Sequence, residues 1–388
     1  MIAYADDLVL LATNPGELQK NIGALQSYCE RWNLIVNLEK SKVMVFRRGG
    51  PLGTREIWKY QSQPIEVVNQ YKYLGIILTP RISYRHHFRQ KVVAAKHAIH
   101  VAWQRLLTDT KLPLKARLDV FLAVVRSILC YGAQVWGYEA IQEIEKVQIY
   151  FIRKLFWLPN RAPHYMIYLE TGLLPLYLHC LELHLSYLRK VFSMREDRFP
   201  RIVAQMVASN DISHVVEIRR LQAKHGMVPN CESGLSNELM HDLLDRVKEA
   251  FRIGWRERAS RSTHYLWYKQ LDHSIKSADM HSTMELNHAR WIMKLRTELL
   301  NLNYQPCIED RIELCSMCNR RTIEDTYHFV AVCPVLREFR VKRLGRPELS
   351  ACDFVNILNS PDCWWQLVLY ARVAWGYRKE LVREFNYN

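Results

Sequence analysis

The chain is 388 residues long, 49% hydrophobic and 24% charged, which excludes a disordered tail and leaves room for two or three folded units. Fifty-four basic residues against 39 acidic ones give a net charge of +15, a balance that calls for a polyanionic partner. No apolar run approaches the roughly 18 residues of a membrane span, no secretion signal is recognisable, and the ten irregularly spaced cysteines fit buried thiols better than a disulfide scaffold.

At the start of the chain, Tyr4-Ala5-Asp6-Asp7 lies between Met1, Ile2 and Ala3 on one side and Leu8, Val9, Leu10 and Leu11 on the other. The pattern predicts strand, turn, strand, with both carboxylates at the hairpin tip. Adjacent carboxylates repel unless a cation sits between them, and hard oxygen ligands suit Mg²⁺ or Mn²⁺; taken alone, an Asp-Asp pair is far more often a solvated turn, and the segments that follow shift the balance toward a metal site. Asn14-Pro15-Gly16 then signals a turn before a helix over 18–32, with Leu18, Ile22, Leu25 and Tyr28 on one face. In 34–46, Asn37, Lys40 and Lys42 are bracketed by strand-like apolar residues, and Tyr71-Lys72-Tyr73-Leu74-Gly75-Ile76 follows downstream.

Between positions 81 and 126 ten basic residues face two acidic ones, so this stretch carries +8 of the total charge. Phe88, Val92, Ala95, Ile99, Ala102 and Leu106 recur at helical spacing, leaving Arg85, Arg89 and Lys96 on other faces. Such a helix can pack by its apolar side and follow a phosphate backbone with its basic side, although a merely solvated basic face has the same pattern. A second amphipathic helix follows Pro113 through Leu114, Leu118, Phe121, Val125 and Ile128 toward Tyr131-Gly132 and Trp136-Gly137. The aromatic and apolar residues beyond are explained by packing, and 199–287 is mostly helical, as in 239–255, with no catalytic constellation.

Near the end of the chain, Cys315, Cys318, His328 and Cys333 form C-x₂-C-x₉-H-x₄-C, followed by Pro334. The spacing suits a closed structural Zn²⁺ site, with His328 and Cys333 reached from a short helix over 324–332; two buried thiols and a core histidine are the alternative. Arg337, Arg340, Lys342, Arg343 and Arg346 then face one acid, Glu338, so a basic helix follows the knuckle.

Three of these segments together resemble a reverse transcriptase of the non-LTR, long interspersed retrotransposon family. Tyr4-Ala5-Asp6-Asp7 is similar to the family's metal-binding motif, 37–46 to its following lysine motif, and 71–76 to the segment that grips the primer end. The resemblance continues through 129–137, 144–158 and 170–176, thins over 199–287, and returns from Leu295-Arg296-Thr297 to Cys333-Pro334. It implies that Asp6 and Asp7 hold Mg²⁺ in two-metal nucleotidyl transfer, that Tyr4 lies near the primer terminus, and that Lys40 faces the incoming triphosphate, where it can neutralise phosphate charge and assist departure of pyrophosphate. Tyr73 and Gly75 would contact the primer, and Arg85, Arg89, Lys96, Arg340 and Arg343 the nucleic-acid backbone.

The expected fold is α+β: part of a polymerase palm over 1–80, a basic helical thumb over 81–137, a helical connector over 138–295, a zinc-knuckle unit over 296–346 and closing helices over 347–388. The family also needs a third carboxylate and nucleotide-binding fingers ahead of the hairpin, and only three residues precede Tyr4. The reading therefore expects a C-terminal portion of a longer polymerase, inactive alone. The alternative is a non-catalytic, retrotransposon-derived zinc protein that binds nucleic acid. Expected partners are RNA and DNA as template, primer and target, with no membrane, and the expected location is intracellular, in nucleus or cytoplasm.

Overall fold

The computed structural model describes residues 1–50, 56–109, 112–210, 213–228, 237–275, 285–306, 308 and 313–385. The architecture is α+β and mostly helical, and the chain folds as two compact units, Met1–Lys91 and Val92–Asn388. Among the described residues no helix is long and apolar enough to cross a membrane.

The first unit holds β1 (Ile2–Tyr4), β2 (Asp7–Val9), α1 (Pro15–Arg31), β3 (Lys42–Val43), β4 (Lys59–Tyr60), β5 (Gln63–Pro64), β6 (Glu66–Val67), β7 (Tyr71–Tyr73) and β8 (Ile76–Leu78). The strands form four two-stranded ladders, antiparallel for β1–β2, β4–β5 and β7–β8 and parallel for β3–β6. Of the apolar runs that bracket the lysines, only Lys42–Val43 pairs as strand, and Ile35 is 97% exposed. The start of α1 is fixed by Asn14, whose side chain accepts from Glu17 N at 2.9 Å, with Pro15 in the first turn. Gln19 exchanges two hydrogen bonds with the Lys59 backbone, both 2.9 Å, and Trp58 Nε1 donates to Pro15 O at 3.1 Å. These bonds hold α1 against β4. Ile22, Val43, Trp58 and Tyr60 make the core, joined by Leu10, Val36 and Leu38.

Helix α2 (Arg85–Ala102) contains the boundary between the units. Beyond it come α3 (Leu114–Val120), α4 (Arg126–Leu129), α5 (Ala133–Trp136), α6 (Gln142–Phe156), α7 (His164–Thr171), α8 (Leu176–Phe192), α9 (Phe199–Ser209), α10 (Ser213–Lys224), α11 (Asn237–Ser260), α12 (Leu286–Arg296), α13 (Arg337–Leu344), α14 (Ala351–Leu358) and α15 (Trp364–Phe385). Phe88, Ala95 and Ile99 are buried as their spacing predicts, but the stripe then slips: Leu106 is 40% exposed and Leu107 only 2%. A π-helical turn, Trp103–Leu107, inserts one residue and moves the buried face on by one. A core of the second unit packs Leu181 and Leu185 of α8 against Ile218 of α10 and Leu243 and Leu244 of α11.

The Trp136-Gly137 pair has a steric explanation. Trp136 is wholly buried and donates to Tyr131 O at 3.2 Å, while a Cβ on Gly137 would fall 2.1 Å from the Cys180 carbonyl oxygen. Only glycine lets α5 approach α8 this closely.

Candidate functional site

In the first hairpin Tyr4 pairs with Asp7, Ala3 with Leu8 and Ile2 with Val9. Directly paired residues project to the same face, so the Tyr4 phenol and the Asp7 carboxylate share one side of the ladder. The two residues between them make the turn, with Ala5 in the left-handed region at φ 53° and Asp6 at the tip. Tyr4, Asp6 and Asp7 are all exposed. Among the described residues neither carboxylate forms an ion pair, and no group of three or more His, Cys, Asp or Glu ligands forms around them. Two uncompensated oxygen donors open to solvent have the chemistry of a divalent-cation site.

Lys40 stands in a turn rather than on a strand. Asn37 organises it, accepting from Lys40 N through Oδ1 at 3.1 Å and from Ser41 N and Oγ through its carbonyl at 3.0 and 2.8 Å. The Tyr71 hydroxyl donates to the Lys40 carbonyl at 3.1 Å, which ties this turn to the next hairpin. The two lysines differ in what they touch: Lys42 Nζ is held by Glu66 at 2.6 Å across β3–β6, whereas the Lys40 amine is exposed and without an ion pair among the described residues.

In the hairpin of β7 and β8, Tyr73 pairs with Ile76, and the turn residues Leu74 and Gly75 both have positive φ, 45° and 79°. That is the geometry of the tight two-residue turn that matches strand twist, and it gives Gly75 a backbone reason. Arg85, Arg89 and Lys96 of α2 are exposed and form no ion pair among the described residues.

The four knuckle residues come together. Cys315, Cys318, His328 and Cys333 are all buried, and their ligand atoms lie within 4.8 Å of one another; Cys318 Sγ is 3.5 Å from His328 Nε2. Three thiols and an imidazole are the donor chemistry of a structural zinc site, and the Cys318–His328 separation is already that of two ligands in a tetrahedral zinc shell, about 3.3–3.8 Å. Backbone geometry explains the convergence. Cys315 N donates to Thr322 O at 2.9 Å, and Leu314 pairs with Ile323, closing the loop that carries both first cysteines. His328 and Cys333 are five residues apart, which in an α-helix would set them about 140° apart around the axis. The turn His328–Val332 is a π-helix, closed by Cys333 N donating to His328 O at 2.9 Å, and its looser winding returns Cys333 toward the side of His328. The histidine is oriented by contacts beyond the cluster: Thr322 Oγ1 lies 3.1 Å from Nδ1, and His328 N donates to Asp325 at 2.7 Å. The hydrogen bond between Cys315 and Cys333 pushes the Cys315 thiol up to about 12, helped by burial, and draws Cys333 down.

The basic helix after the knuckle requires a correction at Arg340. It was expected to face a nucleic-acid backbone, but it is fully buried, and its guanidinium donates to the carbonyls of Val330, Pro347 and Cys333 at 2.7, 2.5 and 2.9 Å. Arg340 braces the π turn from behind. Arg337 and Lys342 are exposed, Arg343 is half-buried, and Arg346 is paired with Asp353 at 2.9 Å.

Two buried ion pairs were not anticipated from sequence. Glu170 meets Arg296 at 2.9 Å, and Glu324, whose Oε1 lies 3.8 Å from Cys315 Sγ, meets Arg378 at 2.5 Å. The available signal was positional: Arg378 continues the apolar stripe Leu367, Ala371, Ala374 of α15, so it falls on the core face. Trp157 ends α6 in the left-handed region at φ 54° with the Arg290 guanidinium 3.8 Å over its ring.

Residues 1–78 match the family model described as reverse transcriptase (RNA-dependent DNA polymerase). The RNA-directed DNA polymerase from mobile element jockey of Drosophila melanogaster is 29% identical over 178 residues, 42% of this chain and 18% of that protein. The jockey polymerase of Drosophila funebris is 26% identical over 175 residues, again 42% of this chain and 18% of the relative. A transposon-derived protein of Caenorhabditis elegans is 25% identical over 139 residues, 35% of this chain and 48% of its own length. The chain thus spans about a fifth of the length of the polymerases it matches. No solved structure matches the chain. This chain is a relative of the reverse transcriptases of non-LTR retrotransposons, and residues 1–78 carry the match to that family.

Proposed function

We propose that the chain is part of an RNA-directed DNA polymerase of a retrotransposon, acting on an RNA template and a DNA primer. The observation that carries this reading is the coincidence of the family match over 1–78 with a hairpin whose tip presents Asp6 and Asp7 unpaired. Asp6 and Asp7 would hold Mg²⁺ or Mn²⁺. An ion held there would supply activation of the attacking hydroxyl and stabilisation of the leaving oxygen in an in-line phosphoryl transfer. Tyr4, on the face shared with Asp7, borders the position of the primer end. The Lys40 amine, unpaired where Lys42 is not, meets triphosphate charge and can donate a proton to departing pyrophosphate. Tyr73 and the Gly75 turn would grip the primer, and Arg85, Arg89 and Lys96 would follow the duplex backbone. The finer division into palm, thumb, connector, knuckle and closing helices belongs to this reading.

Cys315, Cys318, His328 and Cys333 would hold a structural Zn²⁺. With four protein ligands the shell is filled, so its contribution is folding and shape. A second reading, a non-catalytic nucleic-acid-binding zinc protein, is favoured by one observation: among the described residues no third metal-ligating side chain joins Asp6 and Asp7 at the hairpin.

Photocross-linking separates the two. A DNA primer with a photoreactive 3′-terminal nucleotide, annealed to an RNA template, is expected to label residues within 1–80. Labelling confined to 315–346 would overturn the polymerase reading and support the second.

A further inference from the structure

A cleft of about 900 Å³ opens in the second unit, between the loop ahead of α7 and the C-terminal part of α11. Its walls are fixed to each other by the Tyr168 ring of α7 stacked on Trp255 of α11, 4.7 Å between centroids at 12°. Arg153, Arg161, Arg258 and Arg261 line it, against a single acid, Glu257. Four positive charges against one negative leave the lining at +3. His164 adds none, because burial, and then Arg153 beside it, hold its imidazole below the ordinary range.

The arginines are under-used within the fold. Arg153 donates to Ala162 O at 2.7 Å through Nη2, but its Nε is buried and without a hydrogen-bond partner. Arg161 spends one nitrogen on Gln305 at 2.6 Å. Arg258 forms no ion pair among the described residues, and Arg261 reaches Glu257 only at 4.0 Å, with both side chains largely exposed. Gly254 is the second sign. It lies in the interior of α11, where glycine is unfavourable, yet a Cβ there would meet nothing within 4 Å. Packing does not demand the glycine, and its effect is to keep the cleft open against the helix backbone.

We infer that this cleft is a further nucleic-acid site, binding the phosphodiester backbone of a single strand, with Tyr165 on its lining as a surface for a base. Guanidinium groups match phosphate oxygens in bidentate geometry, and a single strand can lay its backbone along an open arginine-lined cleft while an unpaired base stacks on an aromatic ring. The inference rests on the reading of the chain as a nucleic-acid-binding protein and adds a contact in the helical stretch that the family match over 1–78 does not reach.

The test is fluorescence anisotropy of the whole chain with a labelled oligo-dT, titrated at several salt concentrations. Arg258→Ala with Arg261→Ala removes two exposed charges and is expected to weaken binding about tenfold and to reduce the salt slope by about 1.4, near 0.7 per lost phosphate contact on a single strand. Gly254→Leu, a strong helix former directed into open space, is expected to weaken binding without lowering the Tm. Unchanged affinity and slope in both variants, with the parent binding and an Arg85→Ala, Arg89→Ala variant weakened, would overturn the cleft and leave the proposed function standing. Failure of the parent to bind any oligonucleotide would overturn both. Competition by poly-glutamate as effective as by oligo-dT would overturn the assignment to nucleic acid.

Discussion

Arg378, near the end of α15, grips Glu324 through Nε at 2.8 Å and Nη2 at 2.5 Å, and both side chains are buried. Glu324 also accepts from Asn303 N at 3.0 Å, and Asn303 in turn receives Arg378 Nη2 at 3.0 Å and donates to Leu314 O at 2.7 Å. The last helix is thereby fastened to the loop that carries Cys315. Arg378→Ala would strand a buried carboxylate and is expected to cost about 3–5 kcal/mol, measured by denaturant unfolding. Arg378→Lys should recover little, because an ammonium cannot reproduce the two-pronged contact. A loss below about 1 kcal/mol would show that the pair has no structural weight.

The knuckle makes a separate prediction about metal. Zinc analysis of the purified chain should find one ion, and removing it with a chelator should expose 313–346 to protease while leaving the first unit resistant. Cys318→Ser should behave as the chelated protein does. Unaltered protease resistance after complete metal removal would eliminate the zinc assignment and return the cluster to buried thiols around a core histidine.

Glu298 predicts a pH dependence. It is 5% exposed, and burial raises its carboxyl to about 7 although Trp267 N and Tyr268 N donate to it at 2.8 and 2.7 Å. The folded state therefore keeps a proton that the unfolded state releases near the ordinary value of 4.5. Stability from this group is greatest below that value and falls as pH rises toward about 7, where the loss levels off, on the order of 3 kcal/mol. Glu298→Gln accepts the same two bonds without ionising, so its advantage over the parent should be absent at low pH and grow through that window. A difference that is flat with pH would contradict the assignment.

Much of the candidate site was legible because its signals are local. The hairpin around Asp6 and Asp7, helix α1 and the basic helix α2 follow from turn residues and apolar spacing, and the C-x₂-C-x₉-H-x₄-C pattern brings its four side chains together. What sequence missed depends on long-range burial or on departures from ideal winding. The π turn at Trp103–Leu107 moved a buried position from Leu106 to Leu107, and no residue there announces it. Arg340 reads in sequence as one of several surface arginines; in the fold its guanidinium turns inward to the carbonyls of Val330, Pro347 and Cys333, which no local pattern signals. Strand-like residues at 34–36 stayed unpaired because the turn set by Asn37 leaves them no neighbouring ladder.

Lys40 and Lys42 make a discriminating pair. Lys42 is engaged with Glu66, which is 64% exposed, so Lys42→Ala should cost less than about 1 kcal/mol and leave nucleotide contacts unchanged. Lys40→Ala should leave stability unaltered. A periodate-oxidised nucleoside triphosphate, which couples to nearby amines, should label Lys40 in preference to Lys42 in the presence of Mg²⁺ and primer–template. Equal labelling of both lysines would mean that neither is placed by the site.

The last prediction concerns activity. Two-metal transfer needs enough anionic oxygen to hold both ions between primer hydroxyl and triphosphate, and the hairpin offers Asp6 and Asp7 with no third carboxylate gathered beside them among the described residues. The chain by itself should therefore bind primer–template yet extend nothing on an RNA template with Mg²⁺ or Mn²⁺. Extension that Asp6→Ala abolishes would prove that two carboxylates suffice here, with the remaining metal ligands coming from water and the triphosphate. Extension that survives Asp6→Ala and Asp7→Ala would remove the hairpin carboxylates from the chemistry altogether.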